Sequence, residues 1–201
     1  MKNDIDNANA DVSSATDTQE MNDEPEPVIV RTATSQDAKY AYIILHEMIA
    51  SAKARGTGIG YRPIEMIFEK MDNGEAIIAT TNSGKWVGFS YVEIWEQGKF
   101  ISNGGMIVSP EYREKGIATV IKKHIVELCR ERFPQANIFS ITSSAAIMKL
   151  NTRFGFTPVS FAEITNDKSF WNKCRNCVNY NILERKDFKN CLCTALLFNP
   201  Q

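Results

Sequence analysis

Apolar residues recur without regular spacing in the first 26 positions and with two distinct periods after that. Residues 1–26 are rich in Asp, Asn, Ser, Thr and Ala and close on Glu24-Pro25-Glu26-Pro27. Such a stretch buries too little apolar surface to offset the entropy of ordering, so a disordered tail is predicted there. Residues 27–201 read as a single domain, with 162–201 as its C-terminal extension.

A short β-rich run at 28–31 opens the domain. Thr34 followed by Asp37 has the form of a capping box before a helix over 35–54, with Tyr40, Ile43, Ile44, Met48 and Ile49 at helical spacing. A glycine-rich break follows from Arg55 to Gly60, and Pro63 suits the first turn of a second helix ending near Lys70. Three strand patterns over 75–80, 86–95 and 100–108 are separated by hairpin-like turns. A helix is predicted over 116–133, with Ile117, Val120, Ile121, Ile125, Leu128 and Cys129 inward. A strand over 137–142, a helix capped by Ser143 or Ser144 and closed by Gly155, and a strand over 156–161 follow. The extension reads as a helix over 167–173 and two strands, 178–183 and 192–198, paired as a hairpin.

Composition narrows the class. With 201 residues, 43% hydrophobic and 23% charged, the chain is long enough for a sizeable core. A net charge of -1 supplies no global field for nucleic acid or an anionic membrane. No apolar run approaches the roughly 20 residues of a membrane span, and the polar start does not read as a secretory signal. A cytoplasmic protein without nucleic-acid or membrane partners is expected.

The most informative segment runs from Met106 through Arg113-Glu114-Lys115-Gly116-Ile117-Ala118. A buried strand leads into a loop, and the loop opens a helix. Helix starts expose unpaired N–H groups and partial positive charge, which suits phosphate. Gly116 lets phosphate approach the backbone, Ala118 keeps the first turn small, and Arg113 and Lys115 carry positive charge. By itself the pattern also fits a strand-turn-helix with an incidental glycine.

Two segments set it in context: Val108-Ser109-Pro110-Glu111-Tyr112-Arg113, and Lys149-Leu150-Asn151-Thr152-Arg153-Phe154-Gly155-Phe156-Thr157-Pro158-Val159. Together they resemble the two signature segments of the GNAT superfamily of N-acetyltransferases, over about residues 28 to 161. The resemblance implies an α/β (α+β) fold with a mixed, mostly antiparallel, splayed sheet flanked by helices. It implies acetyl-CoA or another acyl-CoA as donor, lying between the strands 100–108 and 137–142. The pyrophosphate would rest on the amides of residues 115–118 with Arg113 at the loop's start. The pantetheine would follow Met106, Ile107 and Val108, and an amide near Ile107 would face the thioester carbonyl, where a donor stabilises the tetrahedral oxyanion.

An amine must be neutral to attack a thioester, so a base or a water relay is required. Glu93 is the candidate, on one strand face with Tyr91 and Trp95; a solvated strand glutamate is the plain alternative. Many family members place a tyrosine acid where this chain has Asn151. Asparagine is not a general acid; the readings open to it are a hydrogen bond to sulfur or CoA, a water site, or a solvated helix position.

For the acceptor, Arg55 and Arg62 flank the glycine-rich break, and arginine forks suit carboxylates. A small amino acid with a primary amine is one expectation, and a mere helix connection is the other. The C-terminal pattern is also similar to Bacteroidetes-type N-acylglutamate synthase-like acyltransferases, which implies glutamate.

Cys174, Cys177, Cys191 and Cys193 crowd the extension. A structural zinc site, free thiols and a disulfide all remain open. His46 and His124 fall on predicted helices as structural or exposed residues. The predicted hairpin offers an edge for a homodimer. Two rival readings stand beside the enzyme: a CoA-binding regulatory module without turnover, and a zinc-stabilised interaction protein.

Overall fold

The computed structural model describes residues 26–56 and 62–200. The predicted tail, apart from Glu26, and the centre of the glycine-rich break at 57–61 lie outside the described residues.

Seven strands form one sheet: β1 (Val28–Thr32), β2 (Ala76–Thr81), β3 (Trp86–Trp95), β4 (Phe100–Val108), β5 (Asn137–Thr142), β6 (Thr157–Val159) and β7 (Thr194–Phe198). Their spatial order is β1-β2-β3-β4-β5-β7-β6. Every pair is antiparallel except β4 with β5. The helices are α1 (Ala41–Ala54), α2 (Ile64–Asp72), α3 (Ile117–Arg132), α4 (Ala145–Arg153), α5 (Lys168–Lys173) and α6 (Tyr180–Arg185).

Period-2 alternation sorts the strands between two cores. Ala76 and Ile78 of β2 face Ile44 and Met48 of α1 and Ile67 and Met71 of α2. Ile77 and Ala79 face Ile121, Ile125 and Cys129 of α3. With both faces covered, β2 is buried along its whole length. The Thr34–Asp37 capping box forms as predicted, and Arg31 clamps Asp37 with two hydrogen bonds of 2.7 Å.

Two irregularities re-aim the sheet. At Val87 the pairing with β2 slips, so Trp86 and Phe89 face one core and Val87 the other. In β4 a second slip falls between the partners of Phe89 and Tyr91, where Gly105 has φ +63°. β4 pairs with β5 only through Phe100, Ile101 and Ser102. Beyond Ser102 the two parallel strands part.

Three expectations are corrected. The stretch 35–54 divides into a 3-10 turn, Ser35–Tyr40, and α1; this resets the helical phase and leaves Ile43 and Ile49 exposed. The α3 stripe omits Val120, which is exposed, and includes Lys122, which is wholly buried. The C-terminal hairpin does not form. Residues 180–185 are helical, and β7 lies between β5 and β6. Tyr180 and Leu183 turn inward at helical spacing, which outweighs the β propensity of Val178 and Ile182. Both edges of β7 are therefore occupied within the chain, and the edge expected for dimer pairing is not available.

Candidate active site

The parting strands open a cleft of about 510 Å³. One wall is β4 from Asn103 to Val108, and the other is the end of β5 with the start of α4, from Ser140 to Ser144 and on to Asn151. Ala52 and Arg55 at the end of α1 border it, as do Arg113, Glu114 and Ala118 of the loop that opens α3. The volume lies within the range of small-ligand sites.

The loop has the geometry of an anion seat. Glu114 and Gly116 both take left-handed backbone, φ +64° and +80°. Gly116 is the N-cap of α3, and its carbonyl accepts from Thr119 at 2.9 Å. A Cβ on Gly116 would meet no heavy atom within 4 Å, so the space before the helix start is open. Lys115 rests over the Tyr112 ring, 5.2 Å from its centroid. Arg113 is fastened to the protein: Nε donates to the Val108 carbonyl at 3.1 Å, and Nη2 to Glu47 Oε1 and Ser51 Oγ at 2.7 Å each. It ties the loop to α1 across the end of the cleft.

The floor of β4 rests on a buried polar chain that the sequence pattern did not single out. Lys122 Nζ, beneath the strand, donates to Asn103 Oδ1 at 2.8 Å. Asn103 Nδ2 donates to Ser90 Oγ at 2.8 Å and to the Tyr91 carbonyl at 3.1 Å. Ser90 Oγ donates to the Gly104 carbonyl at 3.0 Å. The chain pins the backbone where β4 leaves β5. Burial pulls the Lys122 ammonium down to about 7. A lysine one position from the expected inner face was the signal in the sequence.

Asn151 is 1% exposed, lines the cleft, and its Nδ2 has no hydrogen-bond partner in the protein. Leaving a buried donor unpaired costs about 1–3 kcal/mol. Met106, Ile107, Val108 and Arg55 line the cleft. Arg62 lies elsewhere: its Nε donates to Tyr91 Oη at 2.7 Å. Burial raises the Tyr91 hydroxyl, and its ring packs against Gly104 and Gly105. Glu93 does not line the cleft; it faces Ser102 across the β3–β4 ladder and pairs with Lys173 of α5.

The cysteines converge from two directions. Cys174, Cys177, Cys191 and Cys193 line one small cavity of about 50 Å³ with Phe161, Trp171 and Leu183. All four are free thiols, and Cys193 also lines the large cleft. Among the described residues, no group of three or more His, Cys, Asp or Glu side chains is drawn together as a metal site.

The sheet thus splits between its two parallel strands, with an open helix start at one end of the split. Residues 63–156 match the sequence model described as the Acetyltransferase (GNAT) family. It is 25% identical over 96 residues to a histidine N-acetyltransferase of Oreochromis niloticus, covering 48% of this chain and 28% of that protein. It superposes on N-acetylglutamate synthase from Neisseria gonorrhoeae, solved with coenzyme A and N-acetyl-glutamate, with a TM-score of 0.62 and 15% identity, covering 89% of this chain and 36% of that one. A diaminobutyrate acetyltransferase from Paenibacillus lautus, solved with its substrate and coenzyme A, gives a TM-score of 0.58 at 11% identity over 87% of this chain and 96% of that one. The chain thus spans about a third or less of the first two relatives. No helix among the described residues is long and apolar enough to cross a membrane.

Proposed function

We propose that the chain transfers an acyl group from acyl-CoA to the primary amine of a small amino acid. The observation that carries this reading is the free edge of β4 beyond Ser102, which leads through the loop at 109–115 to the open helix start at Gly116. A pantetheine arm pairs with that edge, and its diphosphate meets the amides of residues 115–118. The amine attacks the thioester carbonyl, and the CoA thiolate leaves.

The residues divide this work. Backbone amides near Ile107 face the thioester oxygen, where they stabilise developing negative charge. The Asn151 amide donates to CoA, filling the partnerless position at its Nδ2. No acid is required there, because a thiol is a good leaving group near neutral pH. Arg55, on the rim of the cleft, attracts the acceptor's carboxylate, while Arg62 lies elsewhere and holds Tyr91, whose ring packs against Gly104 and Gly105 of β4. The amine proton passes to water in the cleft, because Glu93 does not line it and is paired with Lys173. Glutamate fits this arrangement, and support comes from the amino-acid ligands named for the two structural relatives.

The test is thiol release from acetyl- and succinyl-CoA against a panel of amino acids, with products identified by mass spectrometry. The reading expects one or a few amino acids to release thiol and gain the acyl mass on the amine. Tight CoA binding with no turnover on any acceptor would favour a regulatory module instead.

A further inference from the structure

We propose that Cys174, Cys177, Cys191 and Cys193 bind one zinc ion, which fastens the C-terminal segment to the sheet beside the acyl-CoA cleft. This goes beyond acyl transfer and does not depend on it.

Four of the chain's five cysteines arrive at one cavity from two sequence positions separated by 13 residues. Chance does not favour that meeting in a cavity of about 50 Å³, and such a volume accommodates a single ion. Two thiols from α5's end and two from the approach to β7 give the two-plus-two arrangement of a closed tetrathiolate site.

Local geometry supports the assignment. The Asn179 amide donates to Cys177 Sγ at 3.5 Å, and the Cys193 amide donates to Cys191 Sγ at 3.3 Å. Each pair thus has a backbone N–H two residues on that turns toward sulfur. The sulfurs ring the cavity without meeting at one point, so metal uptake draws the side chains inward.

Charge and stability point the same way. Zinc with four thiolates is a dianion, and residues 168–189 carry six Lys and Arg against two Asp and Glu. This segment is made of α5, a three-residue 3-10 turn and α6, with a thin satellite core of Phe161, Trp171, Cys174, Tyr180 and Leu183. Elements this short do not hold themselves, and a structural metal is a recurrent staple in such a place. The choice of zinc follows from ligand softness: a closed four-sulfur set selects it over harder cations.

The full chain, purified without chelator, should retain one zinc per molecule through gel filtration. Metal-free protein should take up one equivalent of Co²⁺ and give the intense visible bands of a tetrahedral tetrathiolate. Cys177→Ser and Cys193→Ser should each abolish that spectrum, while Cys129→Ser retains it. The wild-type cobalt titration decides the matter even where a serine variant fails to fold. Protein that carries no zinc and leaves Co²⁺ with its weak octahedral spectrum overturns the proposal. So does mass-spectrometric evidence that the freshly isolated chain holds these cysteines as disulfides.

Discussion

Lys122 donates to Asn103 across 2.8 Å, from the buried face of α3 to the strand that forms one wall of the cleft. Its Nζ also sits 3.9 Å from the centroid of the Phe156 ring. The ammonium therefore rests on an amide oxygen and an aromatic face, partners weaker than a carboxylate. This explains why burial pulls Lys122 from 10.5 down to about 7.

That displacement has a definite sign in stability. The unfolded lysine holds its proton up to pH 10.5, whereas the folded one releases it near 7. Between those values the unfolded state binds more protons, so Lys122 makes stability rise with pH across the window and contributes no slope below it. Lys122→Met should remove that slope. The wild-type advantage over the variant should grow from pH 7 to pH 9, by up to about 1.4 kcal/mol per pH unit. Urea unfolding of both proteins at several pH values measures it.

Asn151 should show opposite effects on stability and on binding. Asn151→Leu replaces a buried donor that lacks a protein partner, so the ligand-free protein should gain about 1–3 kcal/mol. The same change removes the donor offered to CoA, and affinity should fall by about 3- to 10-fold. Thermal melts without CoA and calorimetric titration with it read the two effects separately.

Gly105 is where β4 turns away from β5. Its φ is +63°, and a Cβ there would run into the Tyr91 ring. Gly105→Ala combines left-handed strain with overpacking and should cost roughly 2–4 kcal/mol of unfolding free energy. Acyl transfer should fall with it, since the bulge aims the amides of Met106 and Ile107.

Arg113 should matter less than its charge suggests. Its guanidinium is engaged with Glu47, Ser51 and the Val108 carbonyl, and its side chain is 43% exposed. Arg113→Ala should raise the dissociation constant of CoA by only a few-fold and lower stability by at most about 1 kcal/mol. A titration at two salt concentrations checks both the size and the modest salt dependence.

The sequence carried some of these features openly and others not at all. The β3, β4 and β5 bounds followed from alternation between turns, and the loop that opens α3 from a glycine placed after a strand and before an apolar stripe. The α1 phase was hidden, because Ile43 and Ile49 continue a helical spacing that the 3-10 turn displaces. The fate of residues 178–183 was hidden for another reason. Val178 and Ile182 favour strands locally, while the packing of Tyr180 and Leu183 against the satellite core is a tertiary effect. Cys193 shows the limit for the site: nothing in Cys-x-Cys indicates that one thiol lies on the wall of the acyl cleft. The Lys122–Asn103–Ser90 chain joins three elements, and its one local trace is a lysine next to the expected inner face of α3.

The central claim is that the diphosphate of CoA sits at the opening of α3. Gly116 has φ +80° with empty space before it, so Gly116→Ala adds strain without a clash, whereas Gly116→Asp places a carboxylate where phosphate belongs. Calorimetric titration of CoA into wild type and Gly116→Asp, with circular dichroism showing both folded, tests this most directly. The account predicts a loss of roughly 100-fold or more in affinity for the Asp variant, about 3 kcal/mol of charge repulsion. A folded Gly116→Asp protein that binds CoA as tightly as wild type would contradict it.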